Sequence, residues 1–529
     1  MNVFTAAQMR EVDRRTTEEY GVPSLQLMEN AGARILEVLL QKYPDLTSRR
    51  VVLLCGKGNN GGDGFVVARL LAQLGCHPTV FLFAPIQSVK GDAAVNLQRW
   101  QEMGREILVV TSEGEWALQR GNLDTADIVV DALLGTGLSG PATGLIRRII
   151  EDVNALPDRV TLVAVDIPSG LPSDTGASLG PAVRADLTVS LTGPKLGLVV
   201  PPNCLNTGEL FVRSIGSPEA LVEGNEAVKN HLLEPGEFRS LSLLREPAAH
   251  KGDFGHALIV SGSRGKTGAA ILAAWGALRV GAGLVTVATP DDVLPIVAAG
   301  LPEMMTEPLL STEIGTISTR NLDYGRFGQL QKGKTVLALG PGVSQFEETQ
   351  QFVRTAVAQS ELSVILDADG LNAFSGRSNE LKSRKTGHLM VTPHPGEMSR
   401  LIGFSAGEVQ ARRLEVAVEA ASRWGAVVVL KGYRTIIASP DGTVYINPTG
   451  NPGMATGGTG DVLTGMLAGL TAVFGTQDWP RVAALGVYLH GLAGDLAAEK
   501  VGQASLMAGD LVQAIPDAYR RLLRELGYA

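Results

Sequence analysis

The stretch Asn447-Pro-Thr-Gly-Asn-Pro-Gly-Met-Ala-Thr-Gly-Gly-Thr-Gly-Asp461 carries the clearest chemistry in the chain. Its Gly, Pro, Thr and Asn content bars regular structure over most of its length. The apolar, helix-compatible Val462-Leu-Thr-Gly-Met-Leu-Ala-Gly-Leu470 follows. A glycine-rich turn that opens a helix presents unbonded N–H groups at the positive end of the helix dipole, which makes an anion site. Asp461 stands at its mouth, either as a cap or as a base beside a bound phosphate. A second segment has similar character. Val51-Val-Leu-Leu-Cys55, an apolar run, leads into Gly56-Lys-Gly-Asn-Asn-Gly-Gly-Asp-Gly64 and then into a helical pattern from Phe65 to Leu74. Strand, glycine-rich loop and helix in that order hold phosphates. Asn59, Asn60 and Asp63 make the loop more polar than a turn requires, although a tight turn capped by Asp63 is the plain alternative. We set the segment apart from the dinucleotide fingerprint G-x-G-x-x-G and from a Walker loop.

Two acids fall at the ends of further apolar runs. Ile128-Val-Val-Asp131 precedes Ala132-Leu-Leu-Gly-Thr-Gly-Leu-Ser-Gly-Pro141, and Thr161-Leu-Val-Ala-Val-Asp166 precedes Ile167-Pro-Ser-Gly170. Such runs read as buried parallel strands, and ligands bind at the carboxyl edge of a doubly wound sheet. Either acid alone serves a loop as readily as a reaction; the convergence of three polar loops favours a site. Lys195, in Gly193-Pro-Lys-Leu-Gly197, reads first as a solvated loop lysine and second as a proton donor partnering Asp166. In the second half, runs at 257–261, 284–288, 335–339, 363–366, 389–391 and 427–430 read as strands. Polar motifs follow them: Gly340-Pro-Gly342, Asp367-Ala-Asp-Gly-Leu-Asn372, Thr392-Pro-His-Pro-Gly-Glu397 and Lys431-Gly-Tyr-Arg-Thr435. Asp367 and Asp369 read equally as helix caps. In Gly262-Ser-Arg-Gly-Lys-Thr-Gly268 the lysine comes too early for a Walker loop.

The elements that position these residues must form more than one core, because 529 residues exceed a single ordinary one. The pattern loosens over residues 214–246, so the boundary is placed near 220, giving domains 1–220 and 221–529. Leu232, Leu233, Phe238, Leu241, Leu243 and Leu244 are too apolar for a free linker. Residues 5–20 and 24–43 read as helices, the second capped by Ser24. The alternation predicts an α/β class with two domains. A hydrophobic content of 45% with a net charge of -8 describes a globular chain and argues against nucleic acid as partner. Three scattered cysteines suit a reducing cytoplasm. No run reaches membrane length. A homo-oligomer is expected. Residues 302–332 fit no motif.

Gly58-Asn-Asn-Gly-Gly-Asp-Gly64, Asp131-Ala-Leu-Leu-Gly-Thr-Gly137 and Asp166-Ile-Pro-Ser-Gly170 together resemble the NAD(P)H-hydrate epimerase family, whose fold is a Rossmann-like doubly wound sheet. The resemblance implies potassium held by Asn60, Asp131 and Ser169, an oxygen set that suits a hard cation. It implies hydrate contacts from Asn59, Asn60, Gly61, Gly62 and Asp63, from Gly135, Thr136, Gly137, Leu138, Ser139, Gly140 and Pro141, and from Asp166 as acid or base. The second half, closing on Gly457-Gly-Thr-Gly-Asp461, resembles the ribokinase-like superfamily and more closely its ADP-dependent NAD(P)H-hydrate dehydratases. That implies nucleotide contacts from Lys431, Gly432, Tyr433, Arg434, Thr435 and Gly460. It implies hydrate contacts from Ala257, Gly342, His394 and Asp461, with Asp461 as base and magnesium held largely by phosphates and waters. Both halves together resemble a fused repair enzyme acting on hydrated NADH and NADPH.

The resemblance makes sense of a nucleotide in a dehydration. Phosphate transferred from ADP to the hydrate's hydroxyl turns a poor leaving group into a good one. Loss of phosphate and a ring proton then restores the dihydronicotinamide. ADP over ATP rests on the resemblance and not on a residue. One alternative is a ribokinase-like vitamin-precursor kinase with a regulatory first half, which leaves the epimerase-like motifs unexplained. Another is a first half that serves only as a binding module, against which the intact Asp131 and Asp166 loops speak.

Overall fold

A computed structural model describes residues 1–138 and 140–528. The chain divides into two compact units, Met1–Asn230 and His231–Ala529. No helix among the described residues is long and apolar enough to cross a membrane.

In the first unit, seven strands form a parallel sheet: β1 (Val51–Cys55), β2 (Thr79–Leu82), β3 (Leu108–Val109), β4 (Ile128–Ala132), β5 (Thr161–Val165), β6 (Leu187–Leu191) and β7 (Glu209–Arg213). Their order is β3-β2-β1-β4-β5-β6-β7. Chain direction across the sheet reverses between β1 and β4, the topological switch where such sheets open a crevice. The central strands are apolar throughout because both faces are covered: Leu53, Val130 and Val163 pack in one layer, and Leu54, Val129 and Leu162 in the other. Two helices matter to the site. Helix α1 (Ala6–Glu18) begins at a Thr5–Gln8 capping box. Helix α2 (Asn59–Gln73) begins inside the glycine-rich segment, six residues before the Phe65 start read from sequence. Its glycines permit close contact: a Cβ on Gly61 would lie 1.9 Å from the Gly56 carbonyl oxygen, and one on Gly64 would lie 2.8 Å from Ala132. The helix Ser24–Lys42 has Pro23, not Ser24, at its cap position, with no side-chain cap bond.

In the second unit the sheet runs β16-β15-β14-β13-β12-β11-β8-β9-β10. These strands are β8 (His256–Val260), β9 (Leu284–Pro290), β10 (Met305–Leu309), β11 (Val336–Leu339), β12 (Ser363–Leu366), β13 (Leu389–Val391), β14 (Val427–Leu430), β15 (Ile436–Ala438) and β16 (Val444–Ile446). The strands β8 to β14 are parallel, and β15 and β16 add antiparallel at one side. Leu233, Phe238 and Leu243 are buried in this unit's core, whereas Leu244 is exposed. Helix α3 (Thr267–Arg279) packs against helix α5 (Thr459–Phe474) almost backbone to backbone. A Cβ on Gly465 would sit 1.8 Å from the Ala273 carbonyl oxygen, and one on Gly276 would sit 2.5 Å from that of Val462. Small residues along this seam fix where α5 starts, and so where Asp461 stands. The long α6 (Trp479–Val501) packs on α5, and α4 (Pro395–Ile402) follows β13.

Candidate active sites

The first unit holds a cavity of about 1050 Å³ at the carboxyl edge of its sheet. Asn59, Asn60, Asp63, Gly135, Thr136, Gly137, Leu138, Gly140, Pro141 and Asp166 line it. Gly61 and Gly62 lie buried in the same helix start. Ser139 lies outside the described residues. The segment cannot be kept apart from the dinucleotide fingerprint: Gly56, Gly58 and Gly61 have the G-x-G-x-x-G spacing, running from the end of β1 into the first turn of α2. The usual acid at the end of the next strand is replaced by Phe83-Ala84-Pro85.

A buried oxygen cluster sits beside the helix start. Asp131 accepts a hydrogen bond from the Ser169 hydroxyl at 2.5 Å and from the Ser169 backbone N–H at 2.7 Å. The Leu134 N–H donates to the Ser169 hydroxyl at 2.8 Å, and the Asn60 side-chain amide donates to the Leu134 carbonyl at 2.9 Å. Burial pushes the Asp131 carboxyl up to about 6, against the pull of its Ser169 and Leu133 hydrogen bonds. Among the described residues no lysine or arginine pairs with this carboxylate. Carboxylate, hydroxyl, amide and carbonyl oxygens drawn together without a protein cation fit a hard monovalent ion.

Asp166 and Lys195 form a buried ion pair at the same edge. Asp166 follows β5 with φ at +64°, an uncommon conformation for a non-glycine residue. Its Oδ1 takes the Lys195 ammonium and also the Leu191 N–H at 3.0 Å. Lys195 is therefore not a solvated loop lysine. Its side chain is only 1% exposed and also donates to the Leu191 carbonyl at 3.0 Å and the Ser190 hydroxyl at 3.3 Å. A lysine one residue after a proline in a glycine-rich loop gives no sequence sign of burial; only the packing of the loop does. Asp63 is buried in the same wall, and burial followed by the charges of Asp166 and Asp13 raises its pKa well above the ordinary range. Asp13, on α1, also lines the cavity, and the sequence reading passed over it.

The second site gathers the residues that follow β12, β13 and β14. Asp367 is not a cap. It is buried and accepts Lys431 at 2.6 Å, Thr392 at 2.7 Å and Thr464 at 2.6 Å. Asp369 binds Lys266 at 2.8 Å and the Ser344 N–H at 3.0 Å. Between them Ala368 has φ at +51°, a strained position of the kind that gathers at functional sites. Burial works against the Lys431 charge, but Asp367 and then Glu397 outweigh it and hold its pKa above the usual value. Glu397, a second residue missed as a site group, is buried, and burial raises its pKa against the pull of Lys431.

His394 caps α4. The Gly396 N–H donates to its Nδ1 at 3.0 Å, and its own N–H is held by Glu397 at 2.8 Å. Desolvation, with Lys431 and Arg400 nearby, lowers its pKa. The ring is neutral at physiological pH, and the Nδ1 contact assigns its proton to Nε2. Half of that side chain stays exposed, and its Nε2 lies 3.4 Å from the buried Glu397 carboxylate.

Asp461 sits in the first turn of α5, whose cap position is Gly458 with φ at +93°. No side chain caps this helix. The Asp461 carboxylate accepts no hydrogen bond among the described residues, which removes the cap reading. Burial and then the Asp367 charge push its pKa up to about 6, against the attraction of Lys431. Gly460 leaves space for the Lys431 ammonium, which would lie 3.7 Å from a Cβ there. The loop before α5 is held by Asp495, which accepts the Gly450 N–H and the Asn451 amide, both at 2.9 Å. Gly432 has φ at +141°, and the Arg413 guanidinium supports the turn from below by donating to the Leu430 carbonyl at 2.9 Å. Thr435 donates to the Gly432 carbonyl at 2.9 Å, while Tyr433 is exposed and Arg434 lies beside its ring.

Gly342, with φ at +66°, meets the start of α3: its missing Cβ would lie 3.0 Å from the Ala269 methyl. Ala257 is not brought to this edge. It lies near the start of β8, fully buried in the core. The alanine that approaches the Gly342 turn is Ala269, visible in sequence only as one of several in an Ala-rich helix.

Comparison with known proteins adds the family. Residues 257–517 match the family model described as NAD(P)H-hydrate dehydratase, and residues 24–197 match the YjeF-related protein N-terminus model. The chain is 46% identical to the bifunctional NAD(P)H-hydrate repair enzyme Nnr of Moorella thermoacetica, over 99% of this chain and 98% of that one. It is 33% identical to the Escherichia coli protein of the same name, over 97% and 93%. A solved structure, the ADP/ATP-dependent NAD(P)H-hydrate dehydratase of Bacillus subtilis co-crystallised with ATP/Mg2+, is 32% identical, covers 55% of this chain and 98% of its own, and superposes with a TM-score of 0.46. The chain belongs to the family of bifunctional NAD(P)H-hydrate repair enzymes, which join an epimerase to a dehydratase.

Proposed function

We propose that each of the two activities is carried by one of the acid–lysine clusters. In the first, the substrate is a hemiaminal, with a hydroxyl on the carbon beside the ring nitrogen. Asp166, oriented by Lys195, exchanges the proton that opening and reclosing this centre requires, an effect worth about 10²–10⁴-fold. The free N–H groups at the start of α2 face the diphosphate of the hydrate. Asn60, Asp131, Ser169 and the Leu134 carbonyl are the residues that would hold potassium, which supplies charge compensation for the buried carboxylate. Replacing potassium by tetramethylammonium should slow epimerisation and leave dehydration unchanged; equal rates would remove the ion from the site.

In the second cluster, Asp461 takes the proton of the hydrate's hydroxyl as it attacks the terminal phosphate of ADP. The observation that carries this reading is the unbonded Asp461 carboxylate at the start of α5, beside Lys431. The N–H groups of Gly458 to Gly460 stabilise charge on the transferring phosphoryl group. Lys431 to Thr435 bind the nucleotide, and His394 faces the hydrate. Magnesium bound mainly by phosphates and waters supplies counter-charge there. Ser139 remains in the hydrate set only on the resemblance of its motif. A homo-oligomer in a reducing cytoplasm completes the reading; the free thiols of Cys55, Cys76 and Cys204 are in keeping with that compartment, and light scattering of the purified chain tests the assembly.

The test is to supply racemic NADPH hydrate with ADP and follow dihydronicotinamide absorbance. Recovery of both epimers, with AMP and phosphate formed in equal amounts, is expected. No recovery with either ADP or ATP would overturn the reading.

A further inference from the structure

Helix α1 lies before the part of the chain that the N-terminal family model matches. It is nevertheless fastened to the Lys195 loop. The Phe4 N–H donates to the Pro194 carbonyl at 2.8 Å, and the Leu196 N–H returns to the Phe4 carbonyl at 3.2 Å. The Phe4 ring occupies the space a Gly193 side chain would need, 2.5 Å from that Cβ. The Ala6 N–H is tied to Asp174 at 2.5 Å. These contacts hold α1 along the cavity wall, with Met9 and Asp13 facing in.

Asp13 accepts no hydrogen bond among the described residues. The groups that face it are Asp166 after β5, Lys195 on its loop and Asp63 on α2, with Arg10 on its own helix. Asp166 is committed to Lys195, and Asp63 is buried. Asp63 and Asp92 also line the cavity without a hydrogen-bond partner among the described residues, but Asp63 is buried and Asp92 is only half-buried; Asp13 is the exposed one of the three, set in the field of both Asp166 and Lys195.

We propose that Asp13 is a second catalytic residue of the epimerase centre, the acid that protonates the ring nitrogen while Asp166 deprotonates the hydroxyl. This rests on the assignment of that centre to Asp166 and Lys195. The step balances as a proton shift without a redox partner. The Asp166 carboxylate takes the hydroxyl proton as the C–N bond of the hemiaminal breaks, the electron pair of that bond goes to nitrogen, and nitrogen receives the proton of Asp13. The resulting aldehyde turns about its single bond to the ring carbons. Nitrogen then adds to its other face, Asp13 recovers its proton, and Asp166 returns one to the new hydroxyl. The Asp13 side chain is exposed at the cavity, and desolvation by the surrounding wall, with the Asp166 charge, raises it to about 6 against the pull of Lys195, a value suited to giving and taking a proton near neutrality.

The experiment uses the full chain, R-enriched NADPH hydrate and saturating ADP between pH 5.5 and 9, with pure S hydrate as the control for the second activity. Asp13→Asn should lower kcat for the R epimer about 100-fold, with KM within about three-fold and the S-hydrate rate unchanged. The wild-type fall in kcat as pH rises through about 6 should vanish in Asp13→Asn. Formate should restore at least ten-fold activity to Asp13→Ala, which a structural role would not allow. An unchanged kcat and pH profile, or a rise in KM alone, would overturn the proposal. Asp166→Asn separates the two levels: normal epimerisation in that variant would refute the underlying assignment, whatever Asp13 does.

Discussion

Replacing Lys431 by Met removes the cation that lies among the Asp367, Glu397 and Asp461 carboxylates and should move the pH dependence of dehydration. In the wild type, Asp461 titrates near 6, with Lys431 pulling it down and Asp367 and Asp369 pushing it up. Gly460 puts the ammonium within a few ångströms of the helix turn that carries Asp461. A unit charge at about 6 Å and an effective dielectric of about 20 is worth about 2.8 kcal/mol, or about 2 pK units. Loss of Lys431 therefore moves Asp461 from about 6 toward about 8. The base is ionised above its pKa, so activity is lost as pH falls through it. At pH 7 the ionised fraction drops from about nine-tenths to about one-tenth. Lys431 is also placed at the nucleotide, so the assay is kcat against pH at saturating ADP and S hydrate. The account expects the acid limb to shift upward by one to two units, on the order of the charge removed. An acid limb that stays near 6 with only the amplitude reduced would refute the coupling of Lys431 to the base.

Three further outcomes follow from the geometry. Asp461→Asn should reduce dehydration about 10³-fold while nucleotide binding and epimerisation persist, checked by calorimetry and epimer exchange. Asp166→Asn should leave recovery from racemic hydrate stalled near half, at a pH where solvent epimerises slowly; full and unslowed recovery would remove Asp166 from the chemistry. Gly465→Ala forces a methyl against the Ala273 carbonyl, which stands 1.8 Å from that position. It should cost about 1–3 kcal/mol in urea unfolding of the second unit and lower dehydration by displacing α5.

Much of this was legible because α/β chemistry follows apolar runs. Asp131, Asp166, Asp367 and Lys431 could be placed at strand ends from sequence, since buried parallel strands are continuous in valine, leucine and isoleucine. The short strands Leu108–Val109, Glu209–Arg213 and Met305–Leu309 were not legible; they carry polar residues or only two positions. The burial of Lys195 and the place of Asp13 escaped for a different reason. Asp13 sits among Arg10, Glu11, Arg14 and Arg15, so its helix reads as a solvated face. Its place beside Asp166 depends on the pairing of Phe4 with Lys195, far apart in sequence. Ala257 was carried to the site by motif and lies in the core, because one alanine among many has no spacing to mark it.

The most direct test of the central claim uses hydrate labelled with ¹⁸O in its hydroxyl. If ADP's phosphoryl group is transferred to that hydroxyl and expelled with it, the label leaves in inorganic phosphate, one atom for each NADPH restored. Label found in water while ADP is consumed would mean the hydroxyl departs unphosphorylated, and the role given to Asp461 would fall.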